Sequence, residues 1–133
     1  MGNRRLPDDR GIERTVNHDP KRHARITVTR VGCGTSGQID PSEVRQAMTS
    51  QTRLVAMLHV SNVTGAVQPV QEVGQIAREA EAFYLIDVAQ SLGHIPIQVA
   101  DCQADLVAGS GHKGLMGPLG LGVQAEAWQR GPS

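Results

Sequence analysis

The apolar residues of this chain fall into short runs separated by polar turns. Residues 25–31 alternate apolar and polar positions and are rich in β-branched side chains, which predicts a strand. Residues 53–60 form a near-continuous apolar run, typical of a strand that is covered on both faces. Further strands are predicted at residues 82–88, 105–108 and 121–124.

Helices are predicted in two of the gaps between these strands. Asp40 at the N-cap, Pro41 at the first position and Glu43 at the third mark one helix start, and Pro69 marks the other. Their apolar residues recur every three or four positions: Val44, Ala47 and Met48, then Val70, Val73, Ile76, Ala77 and Ala80. This order of elements predicts an α/β fold with a mostly parallel sheet, helices on both faces and right-handed crossovers.

The composition favours such a sheet and limits the class of partner. Hydrophobic residues make up 39% of the chain and aromatic residues only 2%, so the core must be built from aliphatic side chains. Residues 1–30 hold eight Lys/Arg and four Asp/Glu, although the whole chain has no formal net charge. This basic start has no aromatic residue to stack on bases. We therefore expect a poorly ordered segment over residues 1–24, and no nucleic-acid partner.

The cysteines and the apolar runs predict the compartment. Cys33 and Cys102 lack Cys-x-x-Cys spacing, which indicates reduced thiols in a cytosolic protein. No apolar run approaches the roughly 18 residues of a membrane span. The basic start lacks the apolar core of a signal peptide. We therefore expect a cytoplasmic protein with no membrane partner.

Unusual polar side chains follow the predicted strands at their carboxyl ends. They are Asn62, then Asp87 and Gln90, then Ser110, His112 and Lys113. Because an open α/β sheet binds its ligand beyond those ends, these loops are expected to converge on one pocket. Asn62 and Ser110 could instead be turn formers, and His112 a surface histidine. Asp87 favours a functional role more strongly, since burying a carboxylate without a partner is costly.

Lys113 stands out because lysine is scarce in this chain. Of 13 Lys and Arg residues, only Lys21 and Lys113 are lysines. Arginine holds its proton at biological pH, whereas a partly desolvated lysine can lose its proton and act as a nucleophile. A solvated loop lysine is the simpler alternative. The glycine-rich run at 109–122 and the convergent polar loops favour a chemical role.

Other ligand sites match only parts of this pattern. Residues 32–37 and 109–114 both fit Gly-x-Gly-x-x-Gly, but neither opens the helix that a dinucleotide-binding turn requires. Residues 109–114 are not a Walker loop either, because His112 precedes Lys113 and glycine follows it. A metal site would need ligands without the usual short spacing, namely His59, His94, His112 and Asp87, so no metal is expected.

Pyridoxal phosphate (PLP) is the ligand that uses all of these side chains. A lysine amine forms a Schiff base with its aldehyde. A carboxylate pairs with the pyridinium nitrogen and lets the ring act as an electron sink. Hydroxyl, imidazole and backbone N–H groups of a glycine turn hold the phosphate. Amides such as those of Asn62 and Gln90 hydrogen-bond the 3′ oxygen of the ring.

Three motifs in the same order carry a family resemblance. They are HVSNVTG at 59–65, DVAQ at 87–90 with GHIP at 93–96, and SGHK at 110–113 with GP at 117–118. Over residues 25–124 the chain resembles the middle of a class V aminotransferase-fold enzyme of the cysteine desulfurase and selenocysteine lyase group.

The resemblance implies roles for the residues in these motifs. Lys113 would be the Schiff-base lysine and the general base at the substrate α-carbon, and Asp87 would pair with the pyridine nitrogen. The other implied contacts are Asn62 and Gln90 with the 3′ oxygen, Ser110 and His112 with the phosphate, and Ala89 with the ring face. The implied fold is the large domain of a fold type I PLP-dependent transferase.

The chain also departs from the family it resembles. Family members carry an N-terminal portion and a C-terminal small domain with the substrate-carboxylate arginine and, in desulfurases, a persulfide-forming cysteine. Neither Cys33 nor Cys102 matches that cysteine. We therefore expect a partial large domain over residues 25–133, preceded by a basic, poorly assigned segment over residues 1–24 that does not resemble the corresponding part of the family.

The reaction implied by the resemblance is removal of sulfur from L-cysteine through a lysine–PLP Schiff base. The implied substrate is a small cysteine-like amino acid, and the full-length family is expected to act as a homodimer. A transaminase or selenocysteine lyase activity and a catalytically silent fragment are the alternatives.

Overall fold

The computed structural model of this chain describes residues 6–7, 12–19 and 24–126, with side chains from residue 26 onward. The elements are β1 (Leu6–Pro7), β2 (Ile12–Asp19), β3 (Ala24–Val31), α1 (Pro41–Ala47), β4 (Leu54–Leu58), α2 (Val70–Glu79), β5 (Phe83–Asp87), β6 (Leu106–Ser110) and β7 (Gly122–Glu126). They form two separate sheets, of which the second carries the helices and the candidate site.

The first sheet is antiparallel, in the order β1-β2-β3. Its longest pairing runs from Ile12 opposite Val31 to Asp19 opposite Ala24. The strand predicted at residues 25–31 is therefore present, but it lies in an antiparallel ribbon and not in the parallel sheet. Strands that follow each other closely in sequence pair antiparallel, because a parallel pair needs a long crossover. Strands β1 and β2 lie in the segment for which the sequence predicted no element.

The second sheet has the order β4-β5-β6-β7 and confirms the mostly parallel sheet. Strands β4, β5 and β6 are parallel, with Leu58 opposite Asp87 and Asp87 opposite Ala108. Strand β7 runs antiparallel to β6, with Ser110 opposite Gly122. Only a short glycine-rich loop joins these last two strands, which is too short for a parallel crossover.

Both predicted helices form at the predicted starts. Asp40 is the N-cap of α1, and its carboxylate accepts a hydrogen bond of 2.8 Å from the Ser42 backbone N–H. This hydrogen bond to the charged form lowers the pKa of Asp40. Pro69 is the N-cap residue of α2, which ends at Glu79. Neither helix has the length and apolar character needed to cross a bilayer.

The core lies between the helices and one face of the second sheet. Val73, Ile76 and Ala77 of α2 are buried against Tyr84 and Ile86 of β5. The Tyr84 hydroxyl donates a hydrogen bond of 3.0 Å to the Val70 carbonyl, and its burial raises the pKa of the phenol. The buried hydroxyl thus has a hydrogen-bond acceptor in the first turn of α2, inside an otherwise apolar layer.

The opposite face of this sheet is exposed in the described part of the chain. Leu54 and Phe83, which pair across β4 and β5, are each 53% exposed, and Leu58 is 41% exposed. Successive strand side chains point to opposite faces, so Val55 and Met57 pack on the helices while their neighbours do not. The described helices cover one face, and the second helical layer expected from the sequence is not among these residues.

Candidate functional site

The carboxyl ends of β4, β5 and β6 lie side by side at one edge of the second sheet. Leu58 ends β4, Asp87 ends β5 and Ser110 ends β6. Because these strands are parallel and paired in register, the loops that follow them emerge together. The polar loops therefore converge, as expected, because the three parallel strands end at the same edge of the sheet.

A cavity of about 250 Å³ lies among these loops. Its lining consists of Leu58, Val60, Asn62, Asp87, Ala89, Gln90 and Lys113. The structure thus brings an amine, a carboxylate and two amides together around one small space, next to the apolar side chains of Leu58 and Val60. Four polar residues singled out from the sequence meet here, and they come from the ends of three strands: Asn62 after β4, Asp87 and Gln90 at the end of β5, and Lys113 after β6.

Ser110 and His112 lie on the same loop as Lys113 but outside that lining. Ser110 is the last residue of β6 and is half-buried, whereas His112 is exposed. At the start of the glycine-rich loop, Ser110 precedes Lys113 by three positions and His112 precedes it by one.

Asp87 is held by the backbone around it. Its Oδ1 accepts a hydrogen bond of 2.8 Å from the Ala89 N–H, and its carbonyl accepts one of 2.8 Å from the His59 N–H. The first bond is an Asx-type turn that orients the carboxylate at the end of the strand. Asp87 is exposed, whereas the sequence predicted a buried carboxylate. The cost of burying a charge therefore gives no support for a functional role of this residue.

Asn62 lies in a turn that another residue stabilises. The Ser61 hydroxyl accepts hydrogen bonds of 3.2 Å from the backbone N–H groups of Val63 and Thr64, and Gly65 N–H donates to the Ser61 carbonyl at 3.0 Å. Since these bonds close the loop without the Asn62 side chain, that amide is exposed beside the cavity.

Lys113 lies in a compact turn within the loop between β6 and β7. Its carbonyl accepts a hydrogen bond of 2.9 Å from the Met116 N–H, and Gly117 N–H donates to the Gly111 carbonyl at 2.8 Å. Gly111 N–H donates in turn to the Leu121 carbonyl at 2.8 Å. These bonds tie both ends of the turn to β6 and β7, while the lysine side chain itself is exposed.

A buried pair that was not predicted from the sequence, His59 and Ser91, lies under this edge. His59 is 5% exposed and Ser91 is fully buried, and His59 Nδ1 lies 2.8 Å from Ser91 Oγ. Desolvation lowers the pKa of His59, which favours the neutral imidazole. Its position directly after an apolar strand, inside one of the three motifs, was the signal available in the sequence.

We expect His59 to make the fold sensitive to mild acid. Its pKa is lower in the folded chain than its usual value of 6.5. The unfolded chain therefore binds more protons below about pH 6.5, and the free energy of unfolding falls as the pH is lowered through that range. Urea titrations at pH 7.5, 6.5, 6.0 and 5.5 should show this loss in the parent chain and a smaller one in His59→Asn.

His94→Asn, which replaces an exposed histidine, is the control and should keep the acid limb of the parent. Glu72 and Cys102 are the other titratable residues that line the cavity beside His59. Identical slopes in the parent and His59→Asn would contradict the assignment to His59.

A second, larger cavity lies beside the start of α2 and is lined by other side chains. It measures about 610 Å³ and is lined by the start of α2 together with residues 38–41 and 96–98. Its lining includes the Glu72 carboxylate and several glutamine side chains but no lysine. The smaller cavity is therefore the candidate site, because its lining includes the amine of Lys113.

Among the described residues, no three His, Cys, Asp or Glu side chains come together in a metal-binding group. Cys33 is exposed, Cys102 is buried, and both are free thiols. Burial raises the pKa of the Cys102 thiol.

Comparisons with known proteins give one family. A sequence model of the family Aminotransferase class-V matches residues 16–125. A probable cysteine desulfurase of Methanothermobacter thermautotrophicus is 43% identical over 97 residues, which are 73% of this chain and 24% of that protein. The cysteine desulfurase IscS of Rickettsia prowazekii is 42% identical over 98 residues, or 74% of this chain and 24% of that protein.

Solved structures similar to this chain include another cysteine desulfurase. The structure of SspA in complex with cysteine is similar with a TM-score of 0.70 and 35% identity, covering 73% of this chain and 28% of that one. The apo structure of a cysteine desulfurase from Thermococcus onnurineus NA1 has a TM-score of 0.68 and 39% identity, covering 75% and 25%. The chain spans about a quarter of the length of the curated relatives it matches.

Proposed function

We propose, because this chain belongs to the aminotransferase class-V family, that its smaller cavity is one wall of a PLP site. Members of this family are PLP-dependent enzymes. The observation that carries the proposal is the meeting of Lys113, Asp87, Gln90 and Asn62 around one space of about 250 Å³. We also propose that residues 25–133 form a partial large domain of this kind.

The side chains of the cavity fit the chemistry of PLP. When bound, PLP supplies an aldehyde that forms a Schiff base with an amine, and a ring that withdraws electrons from the substrate α-carbon. Lys113 is the amine in the lining, and Asp87 is the carboxylate suited to the pyridine nitrogen. The small side chain of Ala89, between Asp87 and Gln90, leaves room for a flat ring.

The remaining contacts follow from where the loops place their polar groups. Asn62 and Gln90 lie on the loops beside Asp87 and are the proposed partners of the 3′ oxygen. Ser110 and His112, at the start of the Lys113 loop, are the proposed phosphate contacts, together with N–H groups of the glycine-rich turn. Both residues lie outside the lining of the small cavity, so these contacts would be made beyond it.

The proposed reaction is removal of sulfur from L-cysteine to leave alanine, with Lys113 accepting the α-proton of the substrate. An added dithiol takes up the sulfur, releases it as sulfide and is itself oxidised to a disulfide. Support comes from the desulfurase names of the relatives and from the cysteine in the similar SspA structure. Other class V activities, including transamination and selenocysteine lysis, would use the same wall. A homodimer of the full-length enzyme is part of this proposal.

A second candidate is a chain that binds PLP without catalysing turnover. It is favoured by the openness of the site, since Lys113, Asp87 and Asn62 are all exposed and every lining residue comes from one sheet edge. Exclusion of water strengthens the electrostatic interactions on which such catalysis depends, and an exposed wall lacks that exclusion.

Reconstitution with PLP tests the proposed function. Addition of PLP to the full 133-residue chain should give the yellow absorbance of a protonated Schiff base, and borohydride reduction followed by peptide mapping should place the label on Lys113. A label confined to Lys21 or the α-amino group, or no label, would refute the site. Sulfide release from L-cysteine above the rate of free PLP indicates a desulfurase, and release at that rate favours the silent candidate.

A further inference from the structure

We infer that His59 is a positioning residue for the Lys113 loop, acting through its buried hydrogen bond to Ser91 and the backbone contact between Gly93 and Gly114. This inference rests on the proposed function, because Lys113 matters for chemistry only if the cavity binds PLP. The structural link itself is independent of PLP and is tested without it.

The imidazole of His59 is fixed at the end of β4. Its backbone N–H donates to the Asp87 carbonyl and its carbonyl accepts from the Gln68 N–H, each at 2.8 Å. Its Nδ1 lies 2.8 Å from Ser91 Oγ, with both side chains buried. A buried hydrogen bond of this kind costs more to lose than an exposed one, because the remaining polar group is left without water.

Ser91 in turn holds the loop that follows β5. Its N–H donates to the Val88 carbonyl at 3.0 Å, and its carbonyl accepts from the N–H groups of His94 and Ile95 at 2.9 and 2.8 Å. These bonds form one tight turn over residues 88–95. Fixing the Ser91 side chain therefore fixes the turn that carries Gln90 into the cavity.

This turn touches the Lys113 loop backbone to backbone. A Cβ placed on Gly114 would lie 2.0 Å from the Leu92 carbonyl oxygen. A Cβ placed on Gly93, which has a φ of +84°, would lie 2.7 Å from the carbonyl carbon and oxygen of Gly114. Only glycine allows so close an approach on both sides. The two backbones meet directly, and the His94 ring packs at the same place, with Cδ2 and Nε2 each 2.9 Å from the Cβ position of Gly114.

A movement of Ser91 is therefore passed to Gly114, the residue next to Lys113. The described lining of the Lys113 cavity does not include His59, so the imidazole acts through the two loops and not on a ligand. The same pair holds both loops of the cavity that bear Gln90 and Lys113. Its loss is expected to loosen the Lys113 turn more than the rest of the sheet.

The test compares variants that remove or keep this hydrogen bond. His59→Leu keeps most of the side-chain volume and removes the bond, whereas His59→Asn places an amide near the position of Nδ1 and retains a partner for Ser91. Ser91→Ala removes the bond from the other side, together with the 3.4 Å hydrogen bond that the Ser91 hydroxyl donates to the Val88 carbonyl. Tyr84→Phe is the matched control, because it removes another buried hydrogen bond, to Val70, away from the cavity.

Amide hydrogen exchange without PLP is the first readout. The Met116 and Gly117 N–H groups, bonded to the Lys113 and Gly111 carbonyls, report on the loop, and the Phe83 N–H, bonded to Arg53, reports on the sheet. We expect His59→Leu and Ser91→Ala to speed exchange at Met116 and Gly117 about tenfold more than at Phe83. In His59→Asn the exchange rates at Met116 and Gly117 should stay within about threefold of the parent rates. Tyr84→Phe should show no change that is specific to the loop.

Schiff-base formation with PLP is the second readout. Its apparent affinity in Ser91→Ala should be about tenfold lower than in the parent, whereas in His59→Asn it should stay close to that of the parent. Equal acceleration at Met116, Gly117 and Phe83, or no acceleration, overturns the inference, and Ser91→Ala decides it if His59→Leu does not fold. A parent chain that binds no PLP but shows loop-specific exchange refutes the proposed function and leaves the positioning role intact.

Discussion

Lys113→Arg is expected to reduce borohydride-stable attachment of PLP to the background of the α-amino group and Lys21, whereas Lys21→Arg leaves the labelling of Lys113 unchanged. Lys21 and Lys113 are the only lysines, so these two variants separate the possible side-chain amines completely. Arginine retains the positive charge and the long side chain but holds its proton, and so cannot form a Schiff base. The comparison therefore isolates nucleophilic chemistry from simple attraction of the phosphate.

The measurement is mass spectrometry of peptides after PLP addition and borohydride reduction, with absorbance followed in parallel. The α-amino group, which has a pKa of about 8, also forms imines and gives the background in both variants. Residual noncovalent binding of PLP to Lys113→Arg is compatible with the proposal, because Asp87, Asn62 and Gln90 remain. Unchanged labelling in Lys113→Arg would rule out Lys113 as the reactive amine.

Gly74→Ala is expected to destabilise the fold, although alanine is the better helix former. Gly74 lies inside α2, and a Cβ there would be 1.9 Å from the Cys102 carbonyl oxygen and 3.2 Å from Tyr84 Cε1. At an open helix position the change from glycine to alanine stabilises by about 1 kcal/mol. Forcing a methyl group into a packed core costs about 1–3 kcal/mol, or more against rigid backbone. The overlap with a carbonyl oxygen should decide the sign.

Urea unfolding monitored by circular dichroism measures this effect, with Gln75→Ala as the neighbouring control. Gln75 is exposed, so its replacement should change the free energy of unfolding by less than about 0.5 kcal/mol. A Gly74→Ala chain as stable as the parent would mean that α2 and the segment around Cys102 are not in such close contact.

The candidate cavity lies where the packed and the exposed faces of the sheet meet. Leu58 lines the cavity and is also one of the exposed apolar residues opposite the helices, together with Leu54 and Phe83. The loops of the site are supported from the helical side, where His59 and Ser91 are buried. The positioning residues thus belong to the core, and the proposed reactive residues belong to the open edge.

Local patterns in the sequence were sufficient for most of the elements. Asp40 caps α1 as its position before Pro41 predicts, because N-cap hydrogen bonds involve residues only two or three positions apart. The apolar runs ending near Leu58 and Asp87 are strands, because the alternation of side chains is a property of a single strand. The convergence of Asn62, Asp87, Gln90 and Lys113 followed from the rule that parallel strands end at the same edge.

Features that depend on distant partners required the tertiary structure. The sequence alone placed the strand at residues 25–31 but not its antiparallel pairing with β2, since pairing is chosen by chain closure and not by side-chain period. It predicted burial for Leu54 and Asp87, which are exposed, because burial depends on what covers a face. The His59–Ser91 hydrogen bond and the Gly93–Gly114 contact join residues far apart in sequence. The sequence by itself predicted that Asn62, Asp87, Gln90 and Lys113 lie at one sheet edge, because parallel strands end together. Only the packing of the loops decided which polar side chains line the cavity and which residues hold the loops in place.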